Sequence, residues 1–415
     1  MSDLSFAPAS VADGFIRYLG SAERFLWLAD QCSPTHFVMC LEILGFTTEA
    51  DWKRALDAVV KRHPLLMASI CVDTDQRPYF RHEVESLGRI RILKDADWKA
   101  EVSNELASPV LWESAPLMRA AVSLEHDKSH LILSFHHSIA DGRSALLIVR
   151  DMLRVIEGEV LDPLPLPSSY ESHLSPDEDL TEAPPPSPGS PSKDKPAAFV
   201  DVDSRRPMIS SATLPEALTR RLREKARDEG ASIQSAVITA LTFCVSPHPG
   251  DNVRILNPLD IRPLLGDSDT RAMYATILPV EITSPSRAGF WSRAAAVKAD
   301  LAGLATKPAI LNNMTFNKYV TNAAPTAEAF KGALSQILSG HEFIVSNVGV
   351  LPYASSIGRL KISNIWGPAA LFGTTNEQSI GICTVDDKLT MLHTSSSPRI
   401  NLLSELEQVL QEFCS

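Results

Sequence analysis

Residues 162–195 are rich in proline, serine and acidic side chains and poor in large apolar ones. Such a run buries too little surface to offset the entropy of ordering it, so it reads as a mobile linker. It divides a chain of 415 residues, already too long for one ordinary core, into two parts of domain size. The expected division is an N-terminal lobe over 1–161, a linker over 162–198 and a C-terminal lobe over 199–415.

Both parts alternate strand-like and helix-like periods. HFVMCLEILG (36–45) reads as a strand. TEADWKRALDAVVKRH then sets Trp52, Ala55, Leu56, Val59 and Val60 on one helical face, with Thr48 as N-cap. LMRAAVSLEH (117–126) and HLILSF (130–135) are separated by a short polar turn and predict a hairpin. An amphipathic helix follows Gly142 and stops at Gly158. In the second part, Thr213-Leu-Pro-Glu216 predicts a capping box, with Gly230 closing its helix. SIQSAVITALTFCV predicts a more buried helix. NVRILNPLDIRP, TILPVEI, EFIVSNVGVLP and TMLHTSS predict strands, and leucines at helical spacing predict a terminal helix. The fold class expected is α/β, with mixed sheets covered by helices.

The net charge of −11 argues against a nucleic-acid surface. No apolar run reaches the ~18 residues of a membrane span, and the first residues lack a secretory pattern. The six cysteines are scattered, with no CxxC pair. These features predict a soluble, cytoplasmic protein, which is expected to act as a monomer.

The densest chemistry lies at HLILSFHHSIADG (130–142), where an apolar strand runs into two histidines and an Asp-Gly pair. Histidine titrates near neutral pH and can exchange a proton there. Adjacent histidines on a strand point to opposite sides, so one can face a cleft while the other packs. No third ligand stands at a metal-site spacing, and no metal is expected.

HHSIADG matches the HHxxxDG motif, and the chain resembles the acyltransferase superfamily of chloramphenicol acetyltransferase. That superfamily also holds condensation domains, plant hydroxycinnamoyl-type acyltransferases and phthiocerol dimycocerosyl transferases. LGSAERFLWLAD (19–30), RHPLL (62–66), APLMRAAV (115–122), NPLDIRPLL (257–265) and VSNVGVLP (345–352) resemble further segments of the family. Two features depart from it. The DFGWG element of the plant branch is absent, its nearest stretch being NIWGPAALFG (364–373). Met67 stands where the condensation branch has a second arginine.

The resemblance implies two chloramphenicol acetyltransferase-like lobes with the active-site tunnel between them. It implies acyl transfer from coenzyme A or an acyl carrier protein to a hydroxyl of a specialised metabolite or lipid, as in polyketide-type biosynthesis. No cofactor would be bound. His137 would be the general base, and no acyl-enzyme would form. His136, Asp141 and Gly142 would support it, with Arg62, or else Arg24, as the ion-pair partner of Asp141. Ser138, Ser346 and Asn347 would touch substrate, while Asp260 and Arg262 would pair with each other or brace the lobes. An amide-forming condensation enzyme and a non-catalytic carrier-protein-binding relative are the alternatives.

Overall fold

The computed structural model describes residues 14–83, 90–94, 96–174, 195–246 and 248–415. The N-terminal part runs β1 (Phe15–Tyr18), α1 (Ser21–Cys32), β2 (Phe37–Leu44), α2 (Glu49–Arg62), β3 (Ala68–Val72) and β4 (Pro78–His82). It continues with β5 (Ile90–Leu93), α3 (Trp98–Ala107), β6 (Met118–Leu124), β7 (Lys128–Phe135), α4 (Gly142–Ile156) and the short α5 (Glu171–Leu174). The C-terminal part opens with β8 (Met208–Thr213), α6 (Glu216–Asp228), α7 (Ile233–Val245), β9 (Asn252–Asp260), α8 (Arg262–Leu265) and β10 (Ala275–Thr283). Three helices follow, α9 (Phe290–Leu304), α10 (Lys307–Ala323) and α11 (Ala327–Ile337). Last come β11 (Phe343–Val350), β12 (Ser356–Ile357), β13 (Leu360–Ala369), β14 (Gln378–Val385), β15 (Lys388–Ser395) and α12 (Leu402–Phe413).

Each lobe is built on a mixed six-stranded sheet, in the order β12-β13-β2-β7-β6-β5 for the first and β10-β9-β11-β14-β15-β8 for the second. In the first sheet β6 and β7 form the predicted antiparallel hairpin, while β5 lies parallel to β6. In the second sheet β11 runs parallel to both β9 and β14. A three-stranded sheet, β1-β4-β3, flanks the first lobe.

Local chemistry sets these elements. Thr48 caps α2 by accepting from the Asp51 amide at 3.2 Å, and Asp51 returns the bond to the Thr48 amide at 2.9 Å. The five apolar residues of its predicted face are all buried. The Thr213–Glu216 capping box does not form. Thr213 instead ends β8 opposite Thr390, and α6 begins only after Pro215, with no side-chain cap. Sheet pairing already satisfies that backbone: the Leu214 amide donates to the Leu389 carbonyl.

Two boundaries differ from the sequence reading. Strands β12 and β13 belong to the C-terminal part but complete the N-terminal sheet, with β13 antiparallel to β2. The lobes therefore share a strand, and the division at 199 is one of chain order only. Both ends of the expected linker, 162–198, are packed structure. Arg17 donates to the Pro167 carbonyl at 3.0 Å, Leu164 N donates to Arg62 O, and Tyr170 and Leu174 are buried. At the other end, Ala197 N donates to Ser335 O, and Ser339 Oγ donates to the Lys195 carbonyl. PLPSSYESHL carries enough spaced apolar residues to pack against α1 and α10, which its prolines concealed. The middle of the expected linker, 175–194, lies outside the described residues.

An apolar core crosses between the lobes. It joins Phe37, Phe135, Leu146 and Val149 of the first lobe to Ile261, Met273, Tyr274 and Ile344 of the second. A further core, around Leu241, Ile255, Phe343 and Leu406, belongs to the second lobe alone. Among the described residues no helix is long and apolar enough to cross a membrane.

Candidate active site

Strand β7 ends at Phe135, and the six residues to Asp141 turn the chain into α4. The Phe135 ring stacks on Phe37 with centroids 5.5 Å apart, and the His137 ring centroid lies 4.8 Å from that of Phe37. His137 Nδ1 is 3.0 Å from the Ala140 carbonyl, which can only accept, so Nδ1 carries the proton. Nε2 is then the basic nitrogen. Burial holds this imidazole below the ordinary histidine value, against the pull of the nearby Asp141 charge. It is therefore neutral, and so competent as a base, at neutral pH.

His136 is fully buried, with a neighbour at each ring nitrogen. Its Nδ1 accepts the Ser138 amide at 3.2 Å, and its Nε2 lies 3.6 Å from Asp30 Oδ2. Asp30 itself accepts the amides of Thr35 and His36. The first histidine thus ties the turn to α1 and the start of β2, a structural task.

Asp141 caps α4, accepting the Ser144 amide at 2.8 Å, and turns away from the His137 ring toward the second lobe. There it accepts from Arg262 Nη1 at 2.8 Å and from the Tyr274 amide at 2.9 Å. Burial alone would raise its pKa, but the charge and hydrogen bond of Arg262 hold it below the usual carboxylate range. Arg262 also donates to Asp260, to Ser144 Oγ and to the carbonyls of Thr270 and Ala272. One guanidinium thereby fastens the N-terminus of α4 to the loop before β10.

Arg62 is therefore not the partner of Asp141, and neither is Arg24, which donates to Asn322 at 2.8 Å. Arg62 binds Asp151, one face of α4 away, at 2.8 Å. His63 lies 3.2 Å from the same carboxylate. The RHPLL step braces α2 on α4 through Asp151. Of the two roles left open for Asp260 and Arg262, both are realised. The second rests on an interlobe carboxylate that local spacing does not reveal.

Between the lobes, His137, Asp141 and Gly142 border a cavity of about 100 Å³, faced from the second lobe by Ser346 and Asn347. Ser346 and Asn347 sit inside β11, at a break in its register with β14, and not in a turn after the strand. Asn347 Oδ1 accepts the Gly349 amide at 2.8 Å, which fixes its amide plane. Ser138, expected to touch substrate, is not among the residues lining this cavity: it is buried and donates to the Glu23 carbonyl at 3.0 Å. Gly142 is required by close approach. A Cβ there would stand 2.8 Å from Val348 and 3.0 Å from Pro368.

The cavity wall also includes residues that sequence reasoning passed over. Met273, Pro368 and Phe372 line it, and Arg143 does so without an ion pair among the described residues. Pro368 and Phe372 come from NIWGPAALFG, the stretch read only as a missing motif. Its apolar run following a Gly-Pro pair was the available signal.

Residues 25–183 match the family model of the condensation domain. A linear gramicidin synthase of Brevibacillus parabrevis is 31% identical over 173 residues, which is 37% of this chain and 3% of that synthase. The trichothecene 15-O-acetyltransferase of Fusarium sporotrichioides superposes with a TM-score of 0.70 at 12% identity, covering 99% of this chain and 98% of that one. Polyketide synthase associated protein 5 from Mycobacterium tuberculosis gives 0.68 at 16% identity, covering 98% and 99%. The N-terminal lobe is thus similar in sequence to condensation domains, and the chain as a whole has the two-lobed fold of these condensation-domain and acyltransferase structures.

Proposed function

We propose that this protein transfers an acyl group from a thioester to a hydroxyl, with His137 Nε2 as the general base. The observation that carries the reading is the oriented, neutral imidazole of His137, its Nδ1–H on the Ala140 carbonyl and its ring at the interlobe cavity. The acceptor O–H loses its proton to Nε2 as its oxygen attacks the thioester carbonyl. The C–O bond forms, the carbonyl becomes an oxyanion, and collapse breaks the C–S bond. The imidazolium then returns its proton to the departing thiolate. A thiol is a good enough leaving group that no acyl-enzyme is needed. Ser346 and the Asn347 amide face the turn and are the polar groups offered to the oxyanion or the acceptor.

The donor in this reading is acyl-coenzyme A or an acyl carrier protein, the acceptor a specialised metabolite or lipid, and the enzyme a monomer without a resident cofactor. The sequence match to condensation domains supports a second reading, amide formation between carrier-bound substrates. The test incubates the protein with acyl-coenzyme A or acyl-pantetheine and with matched alcohol and amine panels. Free thiol and product mass are the readouts. Ester formation lost in His137→Ala supports the first reading, and amide formation alone supports the second. Thiol release without any acceptor product would make the protein a hydrolase and overturn both.

A further inference from the structure

A second cavity, of about 340 Å³, abuts the one at His137. Leu26, Met273, Ala275, Ile277 and Phe372 line both. Its remaining walls come from α1, β9, β10, α10 and the end of α11, with Ala22, Phe25, Leu256, Phe316, Ile337 and Leu338 among them. Four polar side chains, Thr276, Asn313, Asn317 and His341, interrupt the apolar lining, and the first three are linked to one another. Thr276 Oγ1 donates to Asn313 Oδ1 at 2.6 Å, and Asn317 Nδ2 donates to the same oxygen at 3.2 Å. The chamber therefore favours an apolar occupant over one that must be hydrogen-bonded.

Phe372 stands at the boundary, and its backbone is pinned. The buried Glu377 carboxylate accepts the amides of Phe372, Gly373 and Thr374 at 2.7, 2.8 and 3.1 Å. The buried Arg205 guanidinium donates to the Leu371 carbonyl, the Pro34 carbonyl and Ser33 Oγ. Gly373 has φ +85, and a Cβ there would meet Ser33 Oγ at 2.1 Å, so the loop presses directly on the first lobe. A loop whose backbone is held by two buried charged groups, one of them reaching across to the first lobe, sets the Phe372 ring as a partition whose size decides what passes.

Resting on the acyl-transfer reading, we propose that the chamber holds the acyl chain of the thioester donor and that Phe372 is the residue that sets its length. The donor carbonyl sits at His137, and the chain runs past Phe372 into the chamber. An acetyl group is too short to reach it. Phe372 is thus a specificity-determining residue, and Glu377 and Arg205 are its positioning residues.

The test uses the full chain carrying His137→Ala, so that binding is read without turnover, and titrates acetyl-, butyryl-, hexanoyl- and octanoyl-pantetheine. Affinity should rise roughly fourfold with each methylene that enters the chamber. Phe372→Leu, which keeps most of the packing, and Phe372→Ala should raise the octanoyl-to-acetyl affinity ratio by roughly tenfold or more. Ala22→Phe, which fills the chamber from α1, should cancel the gain from chain length. Equal affinity along the series in all four proteins, or a ratio unmoved by both Phe372 and Ala22 changes, overturns the proposal. Chain-length-dependent binding in a protein that transfers no acyl group would sustain the chamber and reject the reaction. The same series run as substrates for the His137 protein separates the two.

Discussion

Two histidines in this molecule have nearly the same neighbours and different prospects. His137 has Asp141 close by, with Arg262 behind it; His63 has Asp151, with Arg62 and Arg271 around it. Both aspartates are held below the usual carboxylate range, Asp151 because hydrogen bonds from His63 and Arg62 and the Arg271 charge outweigh its burial. Both imidazoles are pushed down, chiefly by burial. What differs is where the carboxylate points. Asp151 lies 3.2 Å from His63 Nε2, so a carboxylate covers that nitrogen. Asp141 faces away, a backbone carbonyl takes the His137 Nδ1 proton, and Nε2 is left for the cavity. A shifted pKa marks both places; the unengaged nitrogen beside a cavity marks one.

The sharpest way to break this contrast is to remove each imidazole. His137→Ala should lower turnover by roughly two to four orders of magnitude, the ordinary worth of a general base, with melting temperature little changed. His63→Ala should do the reverse, weakening the packing of α2 on α4 while turnover per folded molecule stays near wild type. Steady-state kinetics beside thermal melts reads both. A dead but stable His63→Ala protein would show that the two sites have been assigned the wrong way round.

Removing each carboxylate comes next. Asp141→Asn leaves Arg262 buried with only Asp260 to balance it, and should cost about 3–5 kcal/mol of stability. Asp151→Asn should also destabilise, since Arg62 and Arg271 lose their shared partner. Chemical denaturation measures both. In neither case should the fraction that remains folded lose its chemistry by orders of magnitude. An Asp141→Asn protein that melts like wild type yet is inactive would mean that the carboxylate orients the base, as in a hydrolase triad.

The contrast also shows how far the sequence could be read. The strand-turn-helix around HHSIADG, the hairpin before it, the helix on Thr48 and the burial of His136 side by side with a cavity-facing His137 follow from period, parity and capping. These are local properties. The partner of Asp141 is not: Arg262 lies 121 positions away, and Arg62 is the nearer arginine of a matching motif. Strand β13 was missed for the same reason. LKISNIWGPA belongs by chain order to the second lobe, yet it pairs with β2 of the first, and nothing in its own residues names that partner. The packed ends of 162–198 were hidden differently. There proline outweighed Leu164, Tyr170 and Leu174 in a composition average, although a few spaced apolar residues suffice to dock a short segment on an existing core.

The smallest effect expected is in the pH profile, and it tests the electrostatics directly. The His137 imidazole must be unprotonated to act, and its pKa in the folded protein lies below the ordinary value of 6.5. Activity should therefore be full at neutral pH, and kcat/KM should fall only as the pH drops through that lowered value. Folding stability should begin to decline at higher pH, from about the ordinary value of 6.5 down to the lowered one, because the unfolded chain takes up a proton at this histidine before the folded one does. Asp141 opposes the effect of burial, so Asp141→Asn removes a charge that favours the imidazolium. The acid limb of kcat/KM should then move to still lower pH. Asp151→Asn, whose charge belongs to His63, should leave that limb where it was. A limb that stays put in Asp141→Asn, or moves equally in both variants, would mean that the group titrating in kcat/KM is not His137.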